Sequence, residues 1–295
     1  MKIVTDSGAD LPPTEAQALD ITVAPLFIQF PEGEVDSSAI THDAFYDRLA
    51  AMRPQIPTTA QPSAGIFADL YRQLAEKGEE ILSVHISSGL SGTLQSAQLG
   101  MKEAADTAAS TLLSAGVTLI DSLTLSGGQR FQVLAAAWAA KAGWSKEAIA
   151  ERLDQIRAKT EVIYTLETLE YLARGGRIGR VQALAGSLLK IKPVIKVDKT
   201  DGKYSTVSKG RTLTKAMTGI VDYLVEQYGS ETPLWVSVLH GKGPDKAEAL
   251  AEMVKSRLSV GKLEVLRISP VLGVHTGPGI VGTAVMPLSL VDGIV

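Results

Sequence analysis

The chain has 295 residues, of which 45% are hydrophobic and 21% charged, with a formal net charge of −3 and no cysteine. That balance is ordinary for a soluble globular protein and offers no basic footprint for nucleic acid. Disulfides, thiolate metal sites and a cysteine nucleophile are excluded, and no apolar run approaches the ~18 residues needed to span a bilayer.

The N-terminal "KIVT" reads as a strand and the polar "DSGADLPP" after it as a turn. No apolar signal-peptide core follows, so the chain reads as cytoplasmic. Residues 21–30, "ITVAPLFIQF", form a β-branched run broken by Pro25. Phe45, Leu49 and Met52 fall on one face of a helix over 42–52, by their three- and four-residue spacing. A second helix is expected over 63–78, opened by Ser63 and closed by Gly78. A strand over 80–87, a helix over 92–105, a strand over 117–122 and a helix over 127–143 follow. Strands alternating with helices in this way imply parallel crossovers and a sheet covered on both faces.

The helix expected over 145–159 closes this first unit, and the rhythm then changes. "TEVIYTL" is strand-like, and 192–210 reads as a hairpin turning at Asp201-Gly202. A helix from Leu213, a strand over 234–241, a helix near 245–258, a strand over 263–269 and a last strand over 279–287 complete the chain. The expected fold is therefore α/β in two domains. Residues 1–159 form an N-terminal parallel α/β/α sheet, and residues 160–295 a C-terminal mixed α/β domain.

Several loops carry small hydroxyl residues with glycine: 5–12, 57–65, 87–93, 121–128 and 275–279. "GLSGT" at 89–93 nearly matches the nucleophile elbow G-x-S-x-G, with Thr93 replacing the last glycine and His275 as the candidate base. The same strand–turn–helix setting suits an anion, because free N–H groups at a helix start favour negative charge. "GPGIVG" at 277–282 matches a dinucleotide fingerprint but leads into a strand with only 13 residues left, so that reading fails on context. Turns are also made of such residues for purely conformational reasons. Carboxylates and histidines lack metal-ligand spacing. Asp6 and Asp121 at strand ends suit catalysis or, more commonly, capping and turn roles; His42 and His85 suit structural ones, and His240 stays open. Arg174, Arg177 and Arg180 cluster around two glycines before an apolar helix, a pattern suited to an anion or to solvent.

Taken together, "DSGADLP", "TTAQPS" (58–63), "SSGLSGTLQSA" (87–97), "DSLTLSGG" (121–128), "LEYLARGGRIG" (169–179), "LLKIKPV" (188–194) and "HTGPG" (275–279) resemble the DegV family in order and spacing. That family includes the fatty-acid-binding subunits of bacterial fatty acid kinase. The resemblance implies a binding protein, not an enzyme. It would hold a long-chain fatty acid such as palmitate, stearate or oleate in an apolar tunnel between its domains. It needs no cofactor, and its bound carboxylate would be presented to a separate ATP-dependent kinase for acyl phosphate formation. Carried over by motif, Thr59, Ser91, the amide of Gly92, His275 and Thr276 would meet the carboxylate, with Arg177 nearby and Arg211 of "KGRT" as a kinase contact. Two alternatives remain open: a serine hydrolase using Ser91 and His275, or a binder of another amphipathic carboxylate.

Two positions depart from the family pattern. Ala60 stands where a serine is usual, which removes one hydroxyl. Arg130 stands where the family often has glycine, which implies a different loop shape there.

Overall fold

A computed structural model describes residues 1–106, 116–182 and 191–294. The apolar helix expected from residue 183 on, and Leu188–Lys190 of the "LLKIKPV" stretch, lie outside the described residues. Among the described residues no helix is long and apolar enough to cross a membrane.

Three sheets organise the described residues. The first is wholly parallel, in the order β2 (Thr22–Ala24), β1 (Lys2–Asp6), β6 (Ile81–His85), β7 (Val117–Asp121). Side chains alternate across it, as the two-residue period of a strand requires. Ile3 and Leu82 point to one face, Val4 and Ile81 to the other. The Val4 face is covered by α3 (Ala64–Glu76) and α4 (Thr93–Ala105) through Phe67, Tyr71 and Ala97. Ser63 caps α3 by accepting from the Ile66 amide at 3.3 Å, a role short polar side chains fill at helix starts.

The large sheet is mixed, in the order β10 (Tyr204–Gly210), β9 (Lys192–Val197), β8 (Glu161–Thr165), β13 (Val281–Pro287), β11 (Leu234–His240), β12 (Val260–Arg267). Only β11 and β12 pair in parallel. Its outer face packs on α8 (Leu213–Tyr228) and α9 (Pro244–Lys255) through Ile163, Val236, Ile220 and Leu250. Its inner face meets α5 (Ser126–Lys141), whose other side lies on the Ile3 face of the parallel sheet. A helix wedged between two sheets must be buried all round, and residues 126–137 and Ala139 of α5 are. Trp235 anchors the contact, 4.6 Å from Phe131 and 5.8 Å from Trp138, centroid to centroid. The neighbouring α6 (Lys146–Lys159) starts at the Ser145 cap.

A third sheet was not foreseen from the sequence. It is antiparallel, in the order β4 (Gly33–Asp36), β3 (Phe27–Phe30), β5 (Thr58–Ala60). Pro25 does break the 21–30 run, and the two halves enter different sheets. "TTAQPS" is accordingly a strand end rather than a loop after a parallel strand. Three short helices were also missed: α1 (Pro13–Ala18), α7 (Glu170–Arg174) and α10 (Pro270–Thr276). Between β4 and β5 lies α2 (His42–Ala51), with Phe45 and Leu49 buried as their spacing predicts. Arg130 lies within α5, not in a reshaped loop, and its guanidinium is buried against Glu15 and Glu264.

Candidate functional site

The ends of β1 and β6 converge on one polar centre. Asp6 is fully buried at the end of β1. One carboxylate oxygen accepts from the Ile86 amide at 2.9 Å and lies 3.0 Å from His85 Nδ1. The other accepts from the Gly8 amide at 2.9 Å and from Gln129 Nε2 at 3.2 Å. His85 Nε2 in turn lies 2.8 Å from Ser83 Oγ, which pairs with the Tyr71 hydroxyl at 3.0 Å. Ser83, His85 and Asp6 thus repeat the hydroxyl–imidazole–carboxylate order of a hydrolase triad. All three are wholly buried, so no substrate reaches them. Their work is to lock the strand ends from which the 87–91 loop departs.

That loop carries Ser91. Its amide donates to the Ser87 carbonyl at 3.0 Å, and its hydroxyl pairs with Thr93 Oγ1 at 2.8 Å. Ser87 Oγ donates to the Gly202 carbonyl at 2.9 Å, which ties the loop to the β9–β10 turn. Gly202 has φ +64, and a Cβ there would come within 1.9 Å of Ser87 Oγ. Only glycine permits both the turn and this approach.

Opposite, the short α10 delivers His275 and Thr276, and Gly277 at φ +71 ends it. His275 Nε2 lies 2.9 Å from Thr59 Oγ1 on β5. Thr59, Ser91, Arg177, His275 and Thr276 therefore line one cavity of about 40 Å³, with Leu26, Ile86, Leu90, Leu125 and Leu272 as its apolar wall. A second, mostly apolar cavity of about 20 Å³ adjoins it, sharing Leu125, Tyr204, Leu272 and Thr276 and also lined by Ser126. Val162, Leu239 and Ile280 continue its lining.

The remaining expected residues fall outside this cavity lining. Gly92 sits at the start of α4 against the Gln61 side chain. Arg211 is exposed after β10. Thr276 lines the cavity, but its hydroxyl donates back to the Leu272 carbonyl at 3.0 Å. Arg177 donates to the Gly175 carbonyl at 2.7 Å, one guanidinium nitrogen being used there. Ala60 also lines the cavity, so the missing hydroxyl is missing from the site itself. Tyr204 and Gln61 were overlooked. Tyr204 reads as an ordinary hairpin residue, and only the fold turns it inward, where burial pushes its pKa up to about 12.

The electrostatics favour a neutral imidazole. Burial, and then the Arg177 charge, push the His275 pKa down to about 3. Its Nδ1 is buried without a hydrogen-bond partner among the described residues. A hydrolytic base would need a hydrogen bond to Ser91 and an orienting acid on its second nitrogen. Here Nε2 faces Thr59 and Nδ1 faces neither.

This neutral ring has a measurable consequence. An unfolded histidine titrates near 6.5, this one near 3. Between those values the unfolded chain binds a proton that the folded chain refuses, so acid destabilises the fold. The slope from one such group reaches about 1.4 kcal/mol per pH unit. Urea melts across that range are expected to show His275→Asn losing less stability on acidification than the wild type. Parallel losses would contradict a buried neutral ring.

Comparisons with known proteins identify the family and the fold. The profile of a family described as "Uncharacterised protein, DegV family" matches residues 1–288. A DegV domain-containing protein of Deinococcus radiodurans is 39% identical over 285 residues, covering 97% of this chain and 95% of that protein. The fold is similar to that of a fatty-acid-binding DegV family protein from Thermus thermophilus, with TM-score 0.87 and 32% identity, covering 97% of this chain and 99% of that one. A stearic-acid-binding protein from Eubacterium ventriosum is similar with TM-score 0.85 and 28% identity, covering 97% and 98% of the two chains. With the profile spanning nearly its whole length and a relative this similar, the chain belongs to the DegV family.

Proposed function

We propose that this protein binds a long-chain fatty acid and presents its carboxylate to a separate kinase, without a nucleotide site of its own. The observation that carries the reading is the adjacency of two cavities with shared walls. One gathers Thr59, Ser91, Arg177 and His275, and the next is walled mostly by aliphatic and aromatic side chains. A carboxylate beside apolar surface is costly unless donors meet it. The Thr59 and Ser91 hydroxyls supply such donors, and Arg177 supplies charge. Both hydroxyls now satisfy neighbours, Thr93 and His275, and reorient toward the ligand when it enters. The Gly92 amide at the start of α4 and Thr276 complete the contacts in this reading.

The acyl chain drives binding. Each buried CH₂ contributes roughly 0.8 kcal/mol, so a chain of about 16 carbons gains enough to offset the entropy of ordering it. The inner cavity is narrow, at about 20 Å³. Leu125, Leu272 and Tyr204, which line both cavities, are the side chains that part to admit the chain. The hydroxyl anchors leave the carboxylate chemically available, and Arg211, exposed beyond β10, is offered as a docking contact for the kinase.

Native mass spectrometry of the purified protein tests this. The expected spectrum shows one fatty acid bound per chain, either co-purified or after adding palmitate or oleate. A spectrum with no bound acid under either condition would overturn the reading. Labelling by a fluorophosphonate, lost in Ser91→Ala, would instead favour a hydrolase.

A further inference from the structure

A third space lies beside the inner cavity and has no part in the carboxylate site. It is a largely apolar groove of about 540 Å³, lined by Asp10, Leu11, Ala16, Ile21, Ile40 and Leu266 among others. The partition between this groove and the inner cavity is one hydrogen bond thick. Ser126 lines the inner cavity, Asp10 lines the groove, and the Ser126 hydroxyl donates to the Asp10 carboxyl. The main chain crosses the same boundary, with Ile268 on the cavity side and Ser269 on the groove side. The Ser269 amide donates to the other Asp10 oxygen at 2.7 Å. Asp10 is thus held from both sides of the partition.

Two further facts mark this as a built feature. Asp10 and Ser126 both have positive φ, +49 and +54, a conformation uncommon for residues with a side chain. Burial also raises the Asp10 pKa to about 6, against the lowering effect of the Ser126 and Ser269 hydrogen bonds. The carboxyl makes this partition polar, with both of its oxygens hydrogen-bonded.

We infer that the Asp10–Ser126 pair is the end wall of the acyl tunnel, which fixes the longest chain the protein accepts, and that the groove receives a longer chain once this wall is removed. The inference rests on the fatty-acid reading above. A methyl end that reaches the wall gains nothing from a hydrogen-bonded carboxyl, and passing it would leave that carboxyl unpaired. Beyond it the groove again offers apolar side chains, Leu11, Ala16, Ile21 and Ile40, where each buried methylene is worth about fourfold in affinity.

The test is competition for the protein among an equimolar set of saturated fatty acids from 12 to 24 carbons, read by native mass spectrometry. The wild type is expected to show a sharp upper limit of length. Asp10→Ala and Ser126→Gly are expected to raise the occupancy of the first excluded acid at least tenfold. Glycine suits the φ of Ser126, so that variant decides the matter should Asp10→Ala fail to fold. Adding Ile40→Trp to either variant fills the groove and is expected to restore the original limit. An unchanged length profile in the folded variants, or a gain that Ile40→Trp leaves intact, overturns the wall while sparing the fatty-acid reading. A wild type that binds none of the acids removes both.

Discussion

Replacing Arg130 with alanine is expected to cost about 3–5 kcal/mol of folding stability, the range for breaking a buried ion pair from one side. Arg130 is 1% exposed in the middle layer of the molecule. Its Nε and Nη2 donate to the two oxygens of Glu15 at 2.9 and 2.6 Å. Nη1 and Nη2 also reach Glu264 on β12, the second at 3.2 Å. Glu264 accepts as well from the indole of Trp235 at 3.0 Å and from Ser237. Burial opposes its charge, yet the Arg130 bonds and charge, with those of Ser237 and Trp235, hold its pKa below the usual carboxylate value. Alanine at 130 would leave that half-buried carboxylate without a counter-charge. Because the penalty comes from the stranded partners, Arg130→Met combined with Glu15→Leu and Glu264→Gln is expected to recover most of the loss. Urea denaturation checks this. A loss under about 1 kcal/mol for Arg130→Ala would place the triad among ordinary surface pairs.

Asp6→Ala is expected to have a comparable effect for a different reason. It removes an acceptor shared by two backbone amides, Gln129 and His85, all of them buried. Each stranded donor costs about 1–3 kcal/mol, so a total near 4 kcal/mol is expected after partial relaxation. Asp6→Asn keeps one acceptor and loses less. The damage should also reach the ligand, since β6 leads directly into the 87–91 loop. Palmitate affinity in the surviving folded protein is expected to fall at least fivefold. A stable Asp6→Ala variant with unaltered affinity would show that the strand ends are held by other means.

Much of this was legible because it is local. The β/α alternation of residues 80–143 rests on apolar periodicity, and the elements fall within a few residues of their expected limits. The family resemblance, not the loop composition alone, pointed to Thr59, Ser91, Arg177 and His275 as a group, and these four line one cavity. What stayed hidden depends on distance. The three-residue β5 has no periodicity of its own and becomes a strand only by pairing with β3, some 30 residues earlier in the chain. Nothing near Arg130 announces Glu15 or Glu264, because charges 115 and 134 residues away are brought together only by the fold. The burial of α5 on every side was hinted at by its alanine-rich sequence. Its place between two sheets was not, since one helix on one sheet would need only half that apolar surface. Short α10 escaped notice because seven residues give barely two turns of pattern.

The central claim is that the polar end of the cavity recognises a carboxylate, and calorimetry of palmitate against hexadecanol tests it most directly. The two ligands share a chain and differ only at the head. Charge-assisted hydrogen bonds contribute about 1.5–3 kcal/mol, so the wild type is expected to prefer palmitate by at least tenfold. Thr59→Val with Ser91→Ala should erase most of that preference while leaving hexadecanol binding nearly unchanged. Equal affinity for acid and alcohol in the wild type, or a preference that survives the double substitution, would contradict the account.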